Sequence, residues 1–197
     1  MSTPEAAFTA AEFRATLSAF ASGVTIVTGA GAQPAGFTCQ SFFSVSLDPP
    51  LVAISPSVQS ASWARVAASG AFTVNVLGSD QDELCLRFGR PGITDRFAGV
   101  EWTRGATDAP RLHGAIAWID CRLDAVHLAG DHLIALGRVE ALEAKDHPHP
   151  LVFFRSRFAQ LSSLPLRRPE WEADLVWGSG PWLPALDDPA RSPLEEN

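Results

Sequence analysis

The stretch GFTCQSFFSVSLDPP, from Gly36 to Pro50, holds the densest mixture of polar and apolar side chains in the sequence. A solvated loop would carry fewer apolar residues, and a core strand would carry fewer hydroxyls, amides and thiols. The pattern therefore predicts either a segment that lines a ligand or a Ser-rich turn that satisfies its own backbone.

A second polar cluster, SVQSASW, runs from Ser57 to Trp63. Ser60 and Ser62 lie where a helix is predicted to begin, and the free N–H groups at a helix N-terminus can bind an anion such as phosphate. The alternative is that Ser60 serves only as the N-cap of this helix. The residues alone leave both interpretations open.

Short β-branched and apolar runs on both sides of these clusters predict a mainly β chain. Hairpins are predicted over residues 24–38 and over residues 115–142, the second with its turn at 128–132. Single strands are predicted at residues 51–54, 72–77 and 151–154. Many short strands with few helices favour a closed antiparallel barrel, and no G-x-G-x-x-G follows a strand as in a Rossmann domain.

Three short helices are predicted among these strands. The first is predicted from Ala10 to Ala21, because Thr9 and Glu12 have capping-box spacing and an apolar stripe follows at helical spacing. The stripe consists of Phe13, Leu17 and Phe20. We interpret it as part of the core, packed against the sheet. The other two helices are predicted at residues 60–68 and 79–88.

Composition argues against several classes of function. The 197 residues carry 15 Lys and Arg against 22 Asp and Glu, a formal charge of −7, so nucleic acid is not an expected partner. The three cysteines lack C-x-x-C spacing, and His147 and His149 are assigned to a solvated loop, so no disulfide scaffold and no metal site are expected. No apolar run reaches the roughly 18 residues of a membrane span, and no signal-peptide pattern is present. We expect a cytoplasmic protein with no membrane partner.

The chain divides by composition into three parts. Residues 1–8 form an N-terminal extension, residues 9–161 form the predicted domain, and residues 162–197 form an arm rich in Pro and Trp with an acidic end. The arm contains Trp171, Trp177 and Trp182, whose large apolar area would be exposed on a lone small domain. We therefore expect the arm to pack on a partner surface and its end to fray.

The sequence resembles the short-chain flavin reductases, the FMN-binding split-barrel reductase components of two-component flavin monooxygenases. The similarity extends in consistent order from about Phe13 to Leu161, and it is strongest with the branch that serves aromatic and steroid-ring hydroxylases. It rests on residues 36–51, 60–63, 72–77, 87–88, 95–100, 130–132 and 151–155.

The resemblance implies both a fold and a function. The fold is a six-stranded antiparallel split β-barrel with Greek-key topology, assembled as a homodimer. The function is transfer of hydride from NADH to FMN or FAD, with the reduced flavin passed to a separate flavin-dependent monooxygenase. Because a fold does not fix a function, a non-catalytic flavin- or haem-binding module is the alternative. A single-component oxidase would need a substrate pocket that no sequence feature indicates.

The resemblance also implies residue roles. The flavin ring and ribityl chain are assigned to Thr38, Cys39, Gln40, Ser41, Val45 and Ser46. The flavin phosphate is assigned to Ser57, Gln59, Ser60 and Ser62, with Arg87 adding charge. The turn Gly130-Asp131-His132 is assigned to the nicotinamide, with His132 as the catalytic residue, and Arg155 is assigned to the dinucleotide side. The chain contains no Tyr, so the last strand offers no phenolic hydroxyl to a cofactor.

Overall fold

The computed structural model describes residues 7–146, 149–159 and 161. The three helices are α1 (Ala10–Leu17), α2 (Ala61–Ala68) and α3 (Asp82–Gly89). The strands are β1 (Ser22–Gly23), β2 (Thr25–Gly29), β3 (Ala35–Cys39), β4 (Phe43–Leu47), β5 (Pro50–Ile54), β6 (Ala71–Val76), β7 (Trp102–Arg104), β8 (Pro110–Leu112), β9 (Ala117–Ala129), β10 (His132–Ala144), β11 (Val152–Phe154) and β12 (Arg157–Ala159). The arm with its three tryptophans lies outside the described residues.

A seven-stranded antiparallel sheet dominates the fold, with strand order β3-β2-β6-β9-β10-β5-β4. Its two edge strands, β3 and β4, are separated by only three residues in the chain. Four residue steps span at most about 14 Å, whereas six flat strand spacings would separate the edges by about 29 Å. The sheet must therefore curl until its edges approach each other, which is the predicted barrel-like arrangement.

The hairpin of β9 and β10 forms the longest part of this sheet. Ala129 pairs with His132, so Gly130 and Asp131 make the two-residue turn, and Gly130 has a φ of +67° that favours glycine. The prediction of a long hairpin is confirmed, although both strands reach closer to the turn than expected. Bulges between Leu136 and Gly137 and between Val139 and Ala141 bend the pair.

The large sheet is packed on both faces around β2, which explains the unbroken apolar and β-branched run of this strand. Val27 belongs to a core cluster with Ile54, Trp63 and Phe72, while its neighbour Ile26 belongs to another cluster, with Leu77, Cys85 and Phe88. Successive strand residues point to opposite faces, so both faces of β2 are buried. α2 packs against the first cluster through Trp63 and Val66, and α3 packs against the second through Cys85 and Phe88.

Helix α1 differs from its prediction. The capping box is present, with the Glu12 backbone N–H donating to Thr9 Oγ1 at 3.2 Å, but the helix ends at Leu17 rather than Ala21. No residue of α1 is buried. Phe13, Leu17 and Phe20 are 49%, 55% and 79% exposed, so the prediction that this stripe packs into the core of the chain is wrong.

Two smaller sheets complete the described part of the chain. Strands β1, β11 and β12 form one, and β7 with β8 forms the other. None of the helices described for residues 7–146, 149–159 and 161 has the length and hydropathy needed to cross a membrane.

A buried carboxylate ties the β7–β8 sheet to the large sheet. Asp120 of β9 is fully buried and accepts hydrogen bonds from Thr73 Oγ1 at 2.6 Å and from the Ala106 backbone N–H at 2.6 Å. Arg111 Nη2 donates to the same carboxylate at 2.8 Å. Because a buried charge is costly without partners, the network fixes β8 against the large sheet.

Replacing Asp120 tests this network. We expect Asp120→Ala to lower the free energy of unfolding by about 3–5 kcal/mol, because Arg111 would lose its buried counter-charge and Thr73 its acceptor. Urea unfolding measures the change. The matched control is Asp124→Ala, which removes an ion pair with Arg138 nearer the surface and should cost less than about 1 kcal/mol. If the two variants lose the same free energy of unfolding, the buried network does not stabilise the fold more than the surface ion pair does.

Candidate active site

A cleft of about 610 Å³ opens beside the edge of the barrel, and we call it the main cleft. It brings together most of the residues that the sequence singled out, although they come from separate segments. Those that line it are Thr38, Cys39, Gln40, Ser41, Ser57, Ser60, Ser62 and His132. Among the described residues, no Asp or Glu lines it.

One wall is the end of β3 and the short connection to β4. Thr38 Oγ1 donates to the Cys85 carbonyl at 2.6 Å. Ser41 Oγ accepts from the Ser55 backbone N–H at 2.9 Å, which joins the connection to the segment after β5. Gln40 is exposed, and its amide has no hydrogen bond to any other described residue. The amide of Gln40 is thus available to a ligand, while the two hydroxyls largely support the wall.

Cys39 lies in this wall as a buried thiol. Its Sγ is 3.2 Å from Ser41 Oγ, and burial raises the pKa of the Cys39 thiol above its ordinary value. A thiol with a raised pKa stays protonated at neutral pH and is a poor nucleophile. Cys39 therefore contributes a packing surface to the cleft rather than covalent chemistry.

The start of α2 forms the second wall. Ser60 Oγ accepts from the Trp63 backbone N–H at 3.1 Å, so Ser60 is the N-cap of the helix. Ser62, in the first turn, accepts instead from Arg96 Nη1 at 2.9 Å. The two serines therefore differ in their roles. Ser60 serves the helix backbone, and Ser62 holds a guanidinium at the cleft.

Arg96 also lines the main cleft, although no role was predicted for it from the sequence. Its Nη2 donates to the Arg90 carbonyl at 3.1 Å, and its Nε is buried without a hydrogen-bond partner in the described part of the chain. It forms no ion pair with a described acidic residue. The contact with Ser62 joins positions 34 residues apart, which local spacing could not reveal. The only signal was a basic residue in the motif at residues 95–100.

His132 lies in the third wall, at the first position of β10. Its Nδ1 is 2.7 Å from Asp131 Oδ1, and this hydrogen bond lowers the pKa of the Asp131 carboxyl. A bridge between Ser57 and His132, with the Val58 N–H donating to the Asp131 carbonyl at 3.1 Å, ties the turn to the segment before α2. The turn thus holds an exposed imidazole at the mouth of the cleft.

Six residues assigned from the resemblance do not line the main cleft. One of them, Asp131, lies next to His132 in the turn between β9 and β10. Val45 and Ser46 lie on β4, with Val45 exposed, and Gln59 is exposed beside the cleft. Arg87 lines a different cleft with Glu83, Glu101 and His113. Arg155 lies in the turn between β11 and β12, with its guanidinium over the Phe154 ring. The structure of one chain therefore places these six residues outside the lining of the main cleft.

The main cleft has the chemistry to bind a ligand with a polar ring edge and an anionic end. Gln40 offers both a donor and an acceptor, and the unpaired Arg96 guanidinium beside the helix start offers positive charge. Among the described residues, no serine or cysteine of the cleft is activated by a neighbouring base. The arrangement is suited to holding a reactive group rather than attacking one.

Comparison with known proteins shows the family of the chain. A family model described as "Flavin reductase like domain" matches residues 17–162. The reductase subunit HsaB of a flavin-dependent monooxygenase from Rhodococcus jostii (strain RHA1) is 43% identical over 164 residues, which cover 83% of this chain and 84% of that protein.

Solved structures agree with the sequence comparison. A nitrilotriacetate monooxygenase component B homolog from Mycobacterium thermoresistibile matches with a TM-score of 0.80 at 38% identity, over 84% of this chain and 94% of that one. The NADH:FAD oxidoreductase SgcE6 of Streptomyces globisporus C-1027, in complex with NAD and FAD fragments, matches with a TM-score of 0.74 at 33% identity, over 78% of this chain and 93% of that one. These similarities confirm the split-barrel fold class and the resemblance, and the chain belongs to the flavin reductase family.

Proposed function

We propose that this protein transfers hydride from NADH to FMN or FAD and supplies the reduced flavin to a separate monooxygenase. The observation that carries the proposal is the main cleft. There an amide, a guanidinium without an ion pair to any described carboxylate and an exposed imidazole lie together, and no described Asp or Glu lines the cleft. HsaB and the nitrilotriacetate monooxygenase component, which are similar to this chain, are named as parts of monooxygenases.

The flavin would lie along the main cleft between its polar walls. Gln40 would hydrogen-bond the polar edge of the ring, with Cys39 packing beside it. Ser62, Arg96 and the N-terminal end of α2 would bind the phosphate, because a cation and free helix N–H groups both favour a dianion. These contacts use groups that Cys39, Gln40, Ser62 and Arg96 offer in the structure.

The protein's part in the reaction is to position two cofactors. When bound, flavin accepts hydride at N5 from C4 of the nicotinamide. His132 would hydrogen-bond the nicotinamide amide or ribose and hold the donor over the ring, with Asp131 fixing the imidazole through its 2.7 Å contact. Solvent reaches the exposed imidazole and can supply the proton that balances the hydride. This explains why the cleft needs no acid–base pair.

The rival function is a carrier that binds flavin or haem without turnover. The exposed His132 and Gln40 favour the enzyme, because they leave the cleft open to a second cofactor and to exchange of the product.

We further propose that the protein is a homodimer in the cytoplasm. The apolar stripe of α1 is exposed, and Phe43, Val45 and Leu47 of β4 are exposed as well. Apolar area of this kind is usually covered by another protein surface.

The state of the cysteines supports the cytoplasm. All three cysteines are free and buried, as is usual in a reducing compartment.

The phosphate site is tested by replacing its charged and polar groups. We expect Arg96→Ala to weaken flavin binding about ten-fold, because a charge-assisted hydrogen bond is lost, and Ser62→Asp to weaken it further through like charge. Quenching of flavin fluorescence measures the dissociation constant. Arg87→Ala removes the same charge from a different cleft and should leave the flavin dissociation constant unchanged. Unchanged flavin affinity in both Arg96→Ala and Ser62→Asp would refute the assignment of the phosphate to this site.

The role of His132 is tested by turnover. Wild-type protein should oxidise NADH with a large excess of free FMN or FAD over many cycles. His132→Ala should lower kcat/KM for NADH about ten-fold, since one polar contact of about 1–2 kcal/mol is lost, while flavin affinity stays constant.

The matched control for His132 is His113→Ala. His113 faces Glu101 at 3.3 Å and is similarly exposed, but it lies outside the main cleft. Equal losses of NADH use and flavin binding in His132→Ala would make His132 structural. A wild type without turnover would favour the carrier.

The dimer is tested by light scattering at micromolar concentration. The expected mass is twice 21.1 kDa, and Leu17→Glu should shift the protein toward the monomer, because it places a charge in the apolar stripe. Leu86→Glu changes an equally exposed leucine on α3 and should leave the mass unchanged. A fully active wild-type monomer would refute this assembly.

A further inference from the structure

A second cleft of about 510 Å³ adjoins the main cleft, and the two share Ser62 and Arg96 as lining residues. The second cleft extends away from this shared point between the segment before β3 and the loop that precedes β7. Its other polar and aromatic lining includes Arg65, Asp95 and Trp102. A ligand whose phosphate lies at Ser62 and Arg96 could therefore continue into either cleft.

The charges of the second cleft suit a second phosphate. Arg65 follows Ser62 by one helical turn of α2, so both side chains lie on the same helix face. Its Nη2 donates to the Gln33 carbonyl at 2.8 Å, and within the described residues it has no acidic partner. Two guanidiniums, Arg65 and Arg96, thus line one cleft without an ion pair to a described carboxylate.

The remaining walls suit a nucleoside. Asp95 Oδ1 accepts from the Phe97 backbone N–H at 3.0 Å, which fixes the carboxylate and leaves Oδ2 to accept from ribose hydroxyls. Trp102 is half-buried and held edge-to-face against Phe97, with ring centroids 6.3 Å apart. A fixed indole at a cleft wall offers a face on which a purine can stack.

We infer that the second cleft receives the adenosine monophosphate half of FAD, so that this protein binds FAD more tightly than FMN. The inference rests on the proposed function, because it takes Ser62 and Arg96 as the site of the flavin phosphate. FMN ends at that phosphate and needs only one cation. FAD carries a second phosphate, a ribose and an adenine, for which Arg65, Asp95 and Trp102 supply a cation, an acceptor and a ring.

NADH carries the same adenosine diphosphate group, so the source of the ligand must be distinguished. FAD is favoured because the second cleft joins the main cleft at Arg96 and Ser62. The proposed nicotinamide residue, His132, lines the main cleft alone. FAD, whose flavin phosphate lies at Arg96, is therefore the dinucleotide that continues into the second cleft.

The experiment measures dissociation constants for FAD and FMN by fluorescence quenching in the wild type and in Arg65→Ala. We expect the wild type to bind FAD about ten-fold more tightly than FMN, and Arg65→Ala to remove this preference while its FMN affinity stays within about two-fold. Arg104→Ala removes an exposed arginine that faces Asp108 outside both clefts, and it should keep the preference.

Three results would overturn the inference. Equal affinity of the wild type for FAD and FMN would leave the second cleft without a flavin role. Equal loss of both affinities in Arg65→Ala would mean that Arg65 serves the phosphate that FMN and FAD share. A raised KM for NADH in Arg65→Ala, measured with FMN and with an unchanged FAD preference, would assign the cleft to NADH. A wild type that binds neither flavin would instead refute the proposed function itself.

Discussion

The short connection between β3 and β4 constrains the whole domain, because it joins the two opposite edges of the seven-stranded sheet. With three residues available, the sheet can only curl, and the curl brings the end of β3 beside the segment after β5. The hydrogen bond from the Ser55 N–H to Ser41 Oγ fastens this contact. The walls of the main cleft are a direct result of that closure, as the start of α2 and the turn at His132 are tied to the same region.

The charge distribution of the cleft determines how an anionic ligand is oriented in it. The chain carries a formal charge of −7, and both flavin phosphates and NADH are anionic, so most of the surface repels these ligands. Arg96 is an exception, since it has no described acidic partner and is held by Ser62 and the Arg90 carbonyl. The lack of a carboxylate among the described lining residues keeps this local positive charge uncompensated. A single fixed cation can therefore orient a ligand whose other end is a neutral ring.

The sequence predicted what depends on local pattern. The hairpin turn at Gly130 was found, and the N-cap at Ser60 was one of the two interpretations that the sequence left open, because both features depend on neighbours within a few residues. The pairing of Arg96 with Ser62 was not found, since no periodicity joins positions 34 residues apart. The resemblance assigned the charge to Arg87, which lines a different cleft together with Glu83 and Glu101. The stripe of α1 was recognised as apolar, but a pattern does not specify which surface will cover it.

The closure between β3 and β4 also has a thermodynamic consequence. Gln40 and Ser41 belong both to the connection that shuts the barrel and to the wall of the main cleft. A ligand that fills the cleft therefore binds only the closed form, and mass action adds RT ln(1 + [L]/Kd) to the stability of that form, or about 2.7 kcal/mol at one hundred times Kd. The folded domain is thus more stable with bound ligand than without it. Backbone amides beside Ser41 and Ser55 should report this difference through their rates of hydrogen exchange.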